Sequence, residues 1–315
     1  MKQKTFETEQ AALWTGIEAV LNGSAKQLDD FPAQYRRLCQ SLALARQRGY
    51  SPSLTDYLQK LVLDCHRRLY GVEIERPMLL RLWLSHTFPQ RVREEWRLLA
   101  LASLTFFGVA LVTGLLVWFK PHWAYSFMSG AELNQFHGMY QPGQTAVGRG
   151  GSEGDVAMFG FYIWNNVSIG FRTFASGIFA GVPTLISLGS NGMHLGVVGS
   201  WLSMDASTRP VFWSFVITHS SFEITGLLLS GVAGMRLGLA LIHPGRLSRR
   251  HALLAASERM FPIIVGAALL TVLAAFFEGF WSASASISQP VKFIVGGICW
   301  LTVLLYFAFA GRVTR

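Results

Sequence analysis

The run 98–119, "LLALASLTFFGVALVTGLLVWF", holds 22 residues without a charge. At about 1.5 Å per residue, a helix of that length spans the roughly 30 Å hydrocarbon core of a bilayer. Further apolar stretches follow, and with 51% hydrophobic and 14% charged residues the chain is more apolar than one globular core of 315 residues needs. Residues 156–202 are too long for a single crossing of about 20 residues, and Gly181, Pro183 and Gly189 interrupt them, so they divide into two. The expected fold is all-α: a polytopic membrane protein with about six spans, near 98–119, 156–178, 180–202, 211–242, 261–281 and 291–311.

Residues 1–97 differ from this pattern. They are polar and carry no short basic-plus-apolar leader, so the first span is expected to direct insertion. Trp14, Ile17, Val20 and Leu21, then Tyr57, Leu58, Leu61, Val62 and Leu69, recur at helical spacing, broken by Pro32 and "RGYSPS". Three to four amphipathic helices in a small cytosolic domain are expected over 1–97, the clearest at 53–70. With 15 Lys/Arg against 11 Asp/Glu this part reads as a mixed, solvated helical surface and not as a nucleic-acid face. Cys39, Cys65 and Cys299 have neither disulfide-framework nor zinc-module spacing and read as free thiols.

Basic residues fix the orientation by the positive-inside rule. Arg91, Arg93 and Arg97 precede the first span; Arg246, Arg249, Arg250 and Arg259 lie in the loop 243–260; Arg312 and Arg315 close the chain. All three clusters are cytoplasmic if there are six spans and both termini lie inside, as in a bacterial inner-membrane protein. The stretch 120–155, aromatic at first and Gly-rich later, then becomes an external loop with a short interfacial helix. Gly226, Ser230, Gly234 and Gly238 fall every four residues, as do Gly192, Gly196 and Ser200, a ridge that lets helix backbones approach closely. Packing within the chain is its first use; a homo-oligomer seam is the other. Arg172 and Arg236 fall near inner span ends, where snorkelling to the interface accounts for them and contact with lipid headgroups or a partner protein is the alternative.

His219 and Glu223 sit one turn apart on the fourth span, where an ionisable group costs about 3 kcal/mol or more. In the six-span arrangement Glu278, Asn191, Asn165 and Asn166 reach the same, outer half of the membrane. This set admits three readings. His219, Glu223 and Glu278 are a reasonable three-ligand set for a divalent metal, with a position left for water. The same residues suit a proton relay or an ion-coupled transport site, and they also suit a hydrogen-bonded knot that fixes packing. HxxxE lacks the second His of the zinc-protease pattern, and no P-loop, Rossmann glycine set, nucleophile elbow or Ser–His–Asp order is present.

The succession "NNVSIGFRTFASGIFAGVPTLISLGSNGMHLG", "THSSFEITGLLLSGVAGMRLG", "HPGRLSR" and "FFEGFWS" resembles the stage II sporulation protein M family of bacterial membrane proteins, and "FPQRVRE" before the first span resembles the junction in its longer members. The resemblance covers most of the chain. It implies a multi-pass membrane scaffold that brings peptidoglycan-degrading enzymes to the septum; longer members with a cytosolic N-terminal domain are often encoded beside MoxR-type ATPases. The positions carried over are Asn165, Asn166, Asn191, Gly192, His219, Glu223 and Glu278. "THSSFE" departs from members that have Pro before the His and Gly after it. The functions expected are therefore an envelope scaffold that recruits protein partners through residues 1–97 or, alternatively, a transporter or intramembrane metal-dependent enzyme centred on the His/Glu/Glu/Asn set.

Overall fold

A computed structural model describes residues 3–23, 30–70, 76–144, 146–149 and 154–312. Arg315 and part of the Gly-rich stretch 143–155 fall outside these. The chain separates into two compact units, Met1–Met78 and Leu79–Arg315. The sequence placed the change at 97; it comes earlier because residues 88–94 bury their apolar side chains against the membrane body.

In the first unit, α1 (Gln3–Leu21), α2 (Phe31–Gln47) and α3 (Pro52–Tyr70) each present one apolar face. On α3, Leu54, Leu58, Leu61 and Cys65 return to the same side every three or four residues and are all buried. They close on Phe6, Trp14 and Ile17 of α1 and Leu38 and Ala45 of α2. Asp30 starts α2 by accepting from the Ala33 amide at 3.2 Å, with Pro32 in the first turn. All three cysteines are free, and burial pushes the Cys65 thiol up to about 11, which leaves it unreactive at neutral pH.

The second unit runs from the end of α4 (Arg76–Leu82) through a π turn and α5 (Phe88–Glu94) into α6 (Trp96–Phe119). Then come the short α7 (Ala124–Phe127), α8 (Gly130–Met139), α9 (Asp155–Ala175), α10 (Val182–Met204), α11 (Thr208–Ile242), α12 (Arg249–Phe276) and α13 (Gln289–Phe309). No β-strand occurs among the described residues. Four helices are long and apolar enough to cross a membrane: α6, α11, α12 with the turn that extends it to Ser282, and α13. Six such spans were expected. The other two segments are helices of 21 and 23 residues, α9 and α10, but they are less apolar because Asn165, Asn166, Asn191 and His194 interrupt them. Residues 243–260, expected as a loop, are largely the first three turns of α12, which begins where the Ser248 hydroxyl accepts from the His251 amide.

At 35 residues, α11 is the axis of the unit, packed by α6, α9, α10, α12 and α13. Small residues make this packing close. A side chain at Gly192 or Gly196 would run into the carbonyls of Phe106 or Ala110 on α6. One at Gly226 would meet Thr271 of α12, and one at Gly234 the carbonyls of Thr173 and Phe174, while Gly238 lies on the backbone at Gly177 and Ser230 sits against Gly170. The ridge read from the sequence therefore packs helices within the chain.

Candidate functional site

Glu223 lies one turn after His219 on α11, and the end of α12 brings Glu278 beside them. There the helix widens into a π turn, Phe277–Ser282, with Glu278 as its second residue. Such turns reposition side chains that a regular α-helix would carry elsewhere. One ligand atom from each of His219, Glu223 and Glu278 falls within 4.8 Å of the other two. His219 Nε2 stands 3.8 Å from Glu223 Oε2, beyond hydrogen-bond distance. Two ligands on one tetrahedral ion at about 2.1 Å would be about 3.4 Å apart, somewhat closer than His219 and Glu223 stand here.

Surrounding residues orient two of the three. The Ser282 hydroxyl meets His219 Nδ1 at 3.1 Å, which leaves Nε2 facing Glu223, and the Asn166 side-chain amide donates to Glu278 Oε2 at 3.4 Å. Asn165 in turn donates to Asn166 Oδ1 at 2.9 Å. His219 is only 4% exposed. Glu223 and Glu278 are half-buried, and two ionised carboxylates about 5 Å apart repel by about 3 kcal/mol at an effective dielectric of about 20, a cost that a cation or a proton relieves.

The three side chains line a cavity of about 220 Å³. That is far more than one water molecule, at about 30 Å³, but less than the roughly 300 Å³ at which drug-sized pockets begin. Phe106, Phe212, Phe215, Phe136 and Tyr140 form much of its wall, with Asn191 and His194 of α10 also on the lining. Asn191 joins the cavity as expected, but its amide donates to Ser187 of its own helix at 2.8 Å.

Sequence reasoning missed two buried cations here. Arg149, in the stretch taken for an external loop, is 4% exposed; it pairs with Asp155 at 2.6 Å and donates to the carbonyl of Gly279 in the π turn. Its segment folds inward because Val147 N bonds Ala283 O at 3.0 Å and Gly148, at φ 76°, lies flat on the Phe215 ring where a Cβ would clash. Lys292, near the start of α13 where a lysine ordinarily snorkels, is 3% exposed, and its Nζ donates to Ser282 O at 2.7 Å and Ser284 O at 2.8 Å. Of the two arginines expected to snorkel, Arg172 stays at the surface and donates to Ser168 O at 3.3 Å. Arg236 does not snorkel: it pairs with the fully buried carboxylate of Glu95, which Arg259 also meets at 2.8 Å, because that carboxylate needs compensation at the α5–α6 junction.

Comparison with known proteins places the chain in a family. Residues 4–71 match the model of a domain of unknown function. An uncharacterised protein of Methanocaldococcus jannaschii is 32% identical over 73 residues, which are 23% of this chain and 41% of that protein, so the chain spans well under half of that relative's length. No solved structure matches. Residues 102–283, more than half of the chain and including His219, Glu223 and Glu278, match the model described as Stage II sporulation protein M. This all-helical membrane protein belongs to the stage II sporulation protein M family.

Proposed function

We propose that the membrane body of this protein is a metal-dependent centre: His219, Glu223 and Glu278 bind one divalent cation and leave a coordination position open to the cavity. The carrying observation is the convergence of these three ligand atoms within 4.8 Å on a cavity whose remaining wall is mostly aromatic and aliphatic. A cation bound there would lower the pKa of a coordinated water towards neutrality and make it a nucleophile. The cavity volume suits a hydrated ion with a small reacting group. In this reading the chain crosses the cytoplasmic membrane six times with both termini inside, and the cavity lies in the outer half of the bilayer.

The test is elemental analysis of the detergent-purified protein and of the Glu223→Gln/Glu278→Gln double variant, each after incubation with Zn²⁺ or Mn²⁺ and desalting. About one ion per chain in the wild type and a loss of at least tenfold in the variant are expected. A metal-free wild type sinks the proposal.

A second reading, an envelope scaffold, is favoured by the first unit: α1, α2 and α3 pack around a core of their own, and residues 4–71 match a domain family of their own. Such a module suits recruitment of protein partners, among them a MoxR-type ATPase or peptidoglycan-remodelling enzymes. Here the double variant would keep its partners in affinity capture while deletion of residues 1–78 would lose them; unchanged capture after deletion overturns it.

A further inference from the structure

We propose that Lys292 and Arg149 are positioning residues of the metal centre: two buried cations that grip the π turn by its carbonyl oxygens and so set where Glu278 points. This rests on the metal-centre reading above.

The carbonyls of a π turn embedded among apolar helices need partners, because a buried carbonyl left unmet loses its hydration without compensation. In this turn the Glu278 carbonyl accepts the Ala283 amide at 3.3 Å. Gly279 O takes the Arg149 guanidinium, and Ser282 O takes the Lys292 ammonium at 2.7 Å. The cations therefore hold the turn just after Glu278 and at its last residue. Neither is a member of the ligand set, and Arg149 is itself anchored by Asp155 at 2.6 Å.

Lys292 also ties the turn to the other ligand-bearing helix. Its own carbonyl accepts the hydroxyl of Thr218, the residue before His219, at 3.3 Å. Ser282, whose carbonyl it holds, uses its hydroxyl on His219 Nδ1 at 3.1 Å. The residue thus meets α11 through its backbone carbonyl, while its ammonium holds Ser282, the residue of the π turn that reaches His219. Burying an ammonium is expensive, and an apolar side chain of similar length would fill the space at lower cost if packing were the only demand.

The experiment uses the full-length protein in detergent, with Lys292→Met, which keeps length and removes the donors, and Lys292→Arg, which restores them. Two readouts are taken: Co²⁺ affinity from its visible absorption, and the ¹⁵N resonances of the His219 ring, assigned with His219→Gln. Lys292→Met should weaken Co²⁺ binding about 10- to 100-fold, the usual effect of removing a group that orients a ligand, and shift the ring resonances as Ser282 leaves Nδ1. Lys292→Arg should recover most of both. If Lys292→Met binds Co²⁺ within about twofold of wild type with unchanged ring resonances, the proposal is overturned even where thermal stability falls. If the wild type binds no Co²⁺, the metal-centre reading fails and the ring resonances alone decide: a shift in Lys292→Met sustains the clamp, and none overturns it. Should Lys292→Met fail to fold, Arg149→Met carries the same expectations through Gly279.

Discussion

His137 Nε2 and Asp205 Oδ2 stand 2.8 Å apart, a contact that fastens α8 to the end of α10. Because α8 carries Phe136, and Tyr140 follows it directly, this pair holds one wall of the cavity. The backbone amide of Ser207 first, then its hydroxyl and His137, pull the Asp205 carboxyl down to about 2 from 3.8. A depressed folded-state value stabilises at pH above the unfolded value and loses its effect as pH falls through the folded one. Amide exchange across 130–140, corrected for intrinsic rates, should therefore stay level from pH 7 to about 5 and quicken from about pH 4 towards 2. His137→Ala should quicken it already at pH 7; no change would mean that apolar contacts alone hold α8. At this scale the sequence was legible wherever an ionisable group interrupts an apolar run, as with His219, Glu223 and Glu278, since the bilayer makes such groups conspicuous. Arg149 and Lys292 were not legible. One lies among glycines that look solvated and the other at a span end that tolerates lysine, and their burial depends on carbonyls presented by the π turn.

The helix pairs α6–α10 and α9–α11 owe their closeness to glycine, which the four-residue spacing announced. At Gly192 the α10 backbone lies on the Phe106 carbonyl, and a Leu there would force the helices apart. Gly192→Leu should lose about 1–3 kcal/mol, the usual range for overpacking. Gly160→Leu on α9, where an added Cβ meets nothing within 4 Å, serves as the control. Equal melting temperatures in detergent for the two variants would count against the packing role. Element ends were less legible than element faces. The start of α12 was missed because its basic first turns read as topological signal, although Ser248 supplies a cap, and the π turn was missed because its widening leaves no periodic mark.

For the whole molecule, the division into a polar N-terminal unit and an apolar body was visible in composition alone. Residues 1–78 hold a buried core of their own, so this segment expressed alone should be soluble and helical by circular dichroism, with a cooperative melt. A broad, non-cooperative transition would show that it depends on the rest of the chain. Within the body, the best apolar window of α11 has a mean hydropathy of 1.6, against 2.2, 2.4 and 2.0 for α6, α12 and α13, and that window is 61% buried, more than in any of them. The helix carries His219, Glu223 and Arg236, of which His219 is buried among its neighbours. Of the four helices apolar enough to cross a membrane, the one that organises the bundle is thus the least apolar. Since α6, α9 and α10 precede it in the chain and α12 and α13 follow, its polar groups gain their full set of neighbours only once the last two helices have been made.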